Sequence, residues 1–169
     1  MTRVALGLGS SLGDRRAQLQ RALSILDARG DTRVIRASRW YRTPPMRGGT
    51  ARGWFLNGVA QLETTLEPHA FLDVCIALEH RFGRRRARYW GDRTLDLDLL
   101  LAGDLIVESP ALTLPHPAIA QRPFVLLPLR EAWPDATDPV TGQAYADLPV
   151  PPGRRPVPIG VLARRAFAV

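Results

Sequence analysis

Phe55-Leu56-Asn57-Gly58-Val59-Ala60-Gln61-Leu62-Glu63-Thr64 decides the fold class. Phe55, Asn57, Val59, Gln61 and Glu63 fall on one side at a period of two, and Leu56, Gly58, Ala60 and Leu62 on the other, which predicts an extended strand. Pro68 follows where a first helical turn tolerates it, and Phe71, Leu72, Cys75, Leu78 and Phe82 then form a helical stripe. Upstream, residues 33–41 read as a strand stopped by Thr43-Pro44-Pro45, and Gly48-Gly49 predicts a flexible loop over 44–53. Further upstream, residues 4–9 read as a buried strand. Asp14 is a candidate N-cap for a helix carrying Leu19, Ala22, Leu23 and Leu26, closed by Gly30. Downstream, residues 94–101 read as a strand that Gly103-Asp104 turns into a second one at 105–108. Proline-containing loops, a short helix at about 129–133 and a Pro-rich tail from about 149 complete the chain. The order β-α-β-β-α-β-β predicts an α+β domain over residues 1–169, with antiparallel strands covered by helices.

Composition narrows the chemistry. The 169 residues are 46% hydrophobic and 23% charged, the profile of a globular protein with a real core. No apolar run approaches the ~20 residues that span a bilayer, and no targeting segment is read, so a cytoplasmic protein is expected. Cys75 is the one cysteine, which excludes an internal disulfide framework and a cysteine metal cluster. All 23 basic residues are arginine. Without lysine there is neither a Walker-type P-loop nor a Schiff base. The net charge of +7 suits nucleic acid, a nucleotide or an anionic membrane surface, or is simply a solvated basic surface.

Five groups of residues carry candidate chemistry. In Leu95-Asp96-Leu97-Asp98-Leu99, a strand places both aspartates on one side, about 7 Å apart. A divalent cation between them would relieve their repulsion, and Mg²⁺ takes one or two carboxylates together with water and phosphate oxygens. An exposed acidic strand face is the alternative. Arg84, Arg85, Arg86, Arg88 and Arg93 lie just upstream. Alone they suit a solvated face or RNA; beside paired acids they supply the parts of phosphoryl transfer. His116 stands between Pro115 and Pro117, with Arg122, Pro123 and Phe124 close behind. It is either a structural histidine or, with Arg122, a phosphate contact, and Phe124 opens an apolar run. Phe55 and Asn57 share a strand face after Trp54. An aromatic beside an amide suits a flat heteroaromatic ring, stacked and read at its edge, although core packing is commoner. Glu79 falls on the apolar helical stripe, at its edge or held for a ligand. His69 and His80 read as surface residues, Trp40 and Trp133 as packing residues. Gly7-Leu8-Gly9-Ser10 lacks the full fingerprint of a phosphate loop.

Tyr41-Arg42-Thr43-Pro44-Pro45, Phe55-Leu56-Asn57, Trp90-Gly91-Asp92-Arg93-Thr94-Leu95-Asp96-Leu97-Asp98, and Pro115-His116 with Arg122 and Phe124, in this order, resemble 6-hydroxymethyl-7,8-dihydropterin pyrophosphokinase of folate biosynthesis, over residues 3 to about 134. The resemblance implies a ferredoxin-like core in three αβα layers. It implies transfer of the intact pyrophosphoryl group of ATP to the pterin's hydroxymethyl oxygen, releasing AMP. By similarity, Asp96 and Asp98 would hold two Mg²⁺ ions, and Arg93, with Arg84 and Arg86, would act on the transferring group. Glu79, Trp90, Arg93, His116 and Arg122 would bind ATP. Phe55 and Phe124 would sandwich the pterin, and Asn57 with Thr43, Pro44, Pro45 and Met46 would meet its edge, near Asp96 and Trp90. The loops at 44–53 and 83–92 would be lids, and the working unit a monomer with small-molecule partners, neither nucleic acid nor membrane. This sequence departs from the family pattern at Ser11, where an Asn is usual, and at Ile76, where a Gln is usual. Its arginine loop is one residue short, so that Arg84 and Arg86 match the family pair when aligned on Gly83, and Arg85 when aligned on Trp90. A paralogue using another pterin alcohol, and a non-catalytic RNA-binding module, are the rival expectations. The RNA module has to accommodate Asp96 and Asp98, which repel a phosphate backbone unless metal-bound.

Overall fold

A computed structural model describes residues 1–45, 52–83 and 92–160. The strand read first is the centre of the sheet. β1 (Thr2–Ser10) runs antiparallel along one side of β4 (Phe55–Thr64), and β2 (Thr32–Ala37) and β3 (Trp40–Thr43) share the other side. β5 (Asp96–Ala102) pairs with β1, and β8 (Val157–Ile159) pairs with β3, all antiparallel.

The single strand expected at 33–41 is two strands. Ser38 breaks it by donating its N–H to Val59 O (2.8 Å), accepting the Val59 N–H on its hydroxyl (3.0 Å) and donating that hydroxyl to Arg39 O (2.7 Å). Ala37 faces Ala60 while Tyr41 faces Asn57, so one extra residue is absorbed between the two strands, as in a bulge. The break aims Trp40 across the sheet. A Cβ on Gly58 would stand 2.7 Å from the Trp40 ring, so the indole occupies the space a side chain would take.

Helices cover both faces. α1 (Arg15–Asp27) starts as expected, with the Asp14 carboxylate accepting the Ala17 N–H at 3.0 Å. It ends before Gly30, where the Asp27 carboxylate turns to accept the Val34 N–H (2.7 Å). With α2 (Pro68–Arg81), it packs Leu19, Leu23, Leu26, Phe71 and Cys75 onto Leu6, Leu8, Leu56 and Leu62. On the opposite face, α3 (Ala118–Gln121) and α4 (Pro123–Ala132) bury Ile119, Leu126 and Leu129 against Ala5, Val59, Leu100 and Leu101. Three αβα layers result.

α4 is longer than the short helix expected at 129–133. Pro128 inside it removes one hydrogen bond, at a cost of about 3 kcal/mol. Leu126, Leu129 and Ala132 are fully buried, and each large apolar side chain returns about 1.5–3 kcal/mol, so packing wins. The strand expected at 105–108 is corrected too. Leu105 and Ile106 are exposed, and only β6 (Val107–Glu108) is extended, pairing with β7 (Thr113–Leu114) away from the main sheet. Among the described residues no helix is long and apolar enough to cross a membrane.

Gly58→Ala should lower stability by about 1–3 kcal/mol, the usual cost of overpacking. Urea unfolding measures it; an unchanged midpoint would mean that Trp40 moves aside freely.

Candidate active site

The site begins with strand register. β1 lies between β4 and β5, so Gly9 faces Asn57 on one side and Asp96 on the other, and Gly7 faces Val59 and Asp98. A Cβ at position 9 would stand 2.9 Å from Asn57 Oδ1, so any other residue there would displace that amide. Residues 7–10 are therefore strand, and their glycines clear the floor of a pocket of about 260 Å³.

Three groups of side chains form the walls. Thr43, Pro44, Phe55 and Asn57 line one side, Arg93, Asp96 and Asp98 another, and His116, Arg122 and Phe124 a third. Pro45 lies beyond the lining. Met46, Arg84, Arg85, Arg86, Arg88 and Trp90, and most of the two expected lids, fall outside the described residues. Asn57 Nδ2 donates to Thr43 Oγ1 (2.5 Å), which ties the ends of β3 and β4 together.

Acidic side chains gather at one end of the pocket. Asp96 pairs with the Arg93 guanidinium. Asp98 is exposed on the pocket side of β5. Desolvation first, then the charges of Asp96 and Glu79, raise its carboxyl to about 7, although Arg122 and Arg93 pull the other way. Such a pair fits a hard divalent cation. Among the described residues no three His, Cys, Asp or Glu side chains surround a common point. Two carboxylates are an all-oxygen donor set, which suits Mg²⁺ completed by water and phosphate oxygens.

Glu79 does not line the pocket. It is 3% exposed, and its Oε1 accepts the N–H of Leu97 (2.7 Å), the residue between the two aspartates. It braces β5 from behind. His116 is held below its ordinary pKa by burial and then by the Arg122 charge. Its Nδ1 accepts the Ala118 N–H (3.0 Å), which leaves the proton on Nε2. The His116 N–H donates to Leu100 O (2.9 Å), so this loop is registered on β5.

Sequence reasoning missed several contributors. Ser11, read only as a departure, is 1% exposed; it donates its N–H to Arg93 O (2.8 Å) and accepts the Arg93 N–H on its hydroxyl (2.9 Å). Asp92 accepts the N–H groups of Arg52 (3.2 Å) and Gly53 (3.3 Å). Both links join residues about 40 or more apart, which no local pattern exposes. Gly7 and Gly9 did leave a signal: their alternation matches the spacing of Asp96 and Asp98 on the neighbouring strand.

The sequence model of the 7,8-dihydro-6-hydroxymethylpterin-pyrophosphokinase family matches residues 5–134. The 2-amino-4-hydroxy-6-hydroxymethyldihydropteridine pyrophosphokinase of Methylorubrum extorquens is 45% identical over 135 residues, 80% of this chain and 85% of that protein. The Pseudomonas aeruginosa protein of the same name is 42% identical over 133 residues, 79% of this chain and 82% of the relative. Among solved structures, wild-type HPPK-DHPS of Plasmodium falciparum with STZ-DHP superposes with a TM-score of 0.66 at 14% identity, covering 87% of this chain. The superposition spans 42% of that longer chain, and it speaks for the fold alone.

The raised Asp98 carboxyl has a stability consequence. Its folded pKa of about 7 lies above the ordinary ~3.9 of an unfolded aspartate. The fold therefore holds the proton more tightly, and stability falls as pH rises from about 4 to about 7. In chelator, Asp98→Asn should melt with the wild type near pH 4 and above it at pH 8, and Mg²⁺ should narrow the gap. Melting curves at the two pH values check this; a variant less stable at pH 8 would show that Asp98 ionises freely.

Proposed function

Because the chain belongs to the 7,8-dihydro-6-hydroxymethylpterin-pyrophosphokinase family, we propose that this pocket transfers the pyrophosphoryl group of ATP to the hydroxymethyl oxygen of 6-hydroxymethyl-7,8-dihydropterin. The observation that carries the proposal is the row Asn57, Gly9, Asp96 across three adjacent strands. It sets an edge-reading amide and an acidic cation site on one cleared floor.

In this reading Phe55 and Phe124 enclose the pterin ring. Asn57, Thr43 and the segment 44–46 meet its polar edge. Asp96 and Asp98 hold two Mg²⁺ ions, which supply charge neutralisation to the polyphosphate when bound. Arg93 and Arg122 bind phosphate oxygens, with Arg84, Arg86 and Trp90 completing the ATP side. His116 donates its Nε2–H to a phosphate oxygen. Glu79 serves ATP indirectly, through the strand that carries the aspartates. The substrate hydroxyl forms a bond to the β-phosphorus as the bridge to the α-phosphate breaks; AMP leaves and the hydroxyl proton passes to solvent. The protein's part is alignment and charge compensation. We place the reaction in the cytoplasm, with a single chain as the working unit.

Incubation with ATP, Mg²⁺ and the hydroxymethyldihydropterin should release AMP, and omission of either Mg²⁺ or the pterin should abolish it. Asp96→Ala and Asp98→Ala should each lose about 10³-fold in rate, the scale of several kcal/mol of charge stabilisation. Near-normal turnover in either variant removes the cation assignment. Pterin binding without AMP release places the defect on the ATP side, at Ser11, Ile76 or the short arginine loop. No pterin binding points to a different pterin alcohol.

A further inference from the structure

The tail beyond residue 148 lies outside the stretch that matches the family, residues 5–134, and the reaction above gives it no role. Its path through the fold is specific. Arg130 on α4 donates from Nε to Tyr145 O (2.9 Å) and from Nη2 to Leu148 O. Gly153 then passes the start of the same helix, where a Cβ on it would stand 4.0 Å from Pro123 Cγ. Pro156 is buried. Finally β8 pairs with β3, Val157 facing Arg42, Pro158 facing Tyr41 and Ile159 facing Trp40.

The path touches two elements that border the pocket, the start of α4 and the outer edge of β3. The start of α4 carries Arg122 and Phe124. The tip of β3 carries Thr43, bonded to Asn57, and leads into Pro44. β3 is four residues long, and without β8 it would be held along one side only, as a short edge strand prone to fraying. β8 is not there for the core, because Val157 is 58% exposed and Ile159 38%. It contributes a backbone ladder. Pro158 has no N–H, so the donors that β8 itself can offer β3 are Val157 and Ile159. Glu131 already pins the base of β3, accepting the Arg39 N–H (2.9 Å) and the Tyr41 hydroxyl; β8 secures the edge that Glu131 leaves open.

We propose that residues 148–159 are a positioning strap that links α4 to the outer edge of β3 and so holds Thr43 and Pro44 in place for the pterin. The inference rests on the pterin reading of the pocket. The test uses the full-length chain with Val157→Pro and Ile159→Pro, which remove both donors, and Pro158→Ala as a control that removes none. Pterin binding is followed by fluorescence in the presence of a non-hydrolysable ATP analogue, and KM is measured for both substrates. If the competent strand tip falls to about a fifth of the population, pterin affinity drops about fivefold. The ATP KM should stay within about twofold, kcat at saturation should hold, and the control should match the wild type. Unchanged pterin affinity, or equal losses for both substrates, overturns the strap. If the double variant does not fold, Ile159→Pro alone gives the same measurement. Failure of both to fold also overturns the inference, because the tail would then be part of the folding core. A wild-type chain that binds no pterin refutes the reading of the pocket and leaves a different result from any of these.

Discussion

The register of β1 against its two neighbours is the constraint from which the site follows. Side chains on a strand alternate, so a slip of one residue would carry Asp96 and Asp98 to the face packed by α1 and α2. Two carboxylates there would lose their water without partners, at several kcal/mol each. Leu95, Leu97 and Leu99 hold the register from the other side, all less than 5% exposed. The core thus determines where the acids point. With glycine at position 9, Asn57 and Asp96 look at each other across a middle strand that carries no side chain there.

That placement brings like charges together. Asp96 has Arg93, whereas desolvation and the charges of Asp96 and Glu79 raise the Asp98 carboxyl against the pull of Arg122 and Arg93. A residue chosen for stability would not sit there. The same imbalance is what a cation with bound phosphates relieves, and it persists because the surrounding strands over-determine the geometry. Glu79 fits this account: a buried acid behind β5 adds negative charge, yet its hydrogen bond to Leu97 keeps the backbone between the two aspartates from yielding.

How much of this was legible depended on range. The Phe55 to Thr64 alternation, the Asp14 cap, the Asp96 and Asp98 spacing and the His116 loop are local patterns, and the structure brings their candidate residues to one pocket wherever it describes them, with Glu79 and Pro45 set back from the lining. Ser11 with Arg93, and Arg39 and Tyr41 with Glu131, are contacts across about 80 to 90 residues, invisible to any periodicity. The remaining errors came from punctuation residues. Pro128 reads as a helix breaker, but the apolar face of α4 outweighs one lost hydrogen bond. Ser38 reads as an ordinary strand residue, but its hydroxyl captures Val59 and turns the chain. The Pro-rich tail shows no element in the sequence, and its strand β8 is possible because proline is tolerated in an edge strand that needs no donor at that position.

The pocket's three walls come from distant parts of the chain, and each is tied back to the sheet by a short polar link. Asn57 ties Thr43 to β4, Ser11 ties Arg93 to the end of β1, and the His116 N–H ties the third wall to β5 at Leu100. β1, β4 and β5 are adjacent, so the three links share one rigid reference. A reaction that relies on alignment, with no covalent help from the protein, needs this: misplacement by about 1 Å can cost 10²-fold in rate. Loops positioned only by one another would accumulate error from link to link. Loops each registered on the same ladder do not, and the distance from ring wall to acidic pair is then set by strand spacing, about 4.8 Å per step, which side-chain motion does not change.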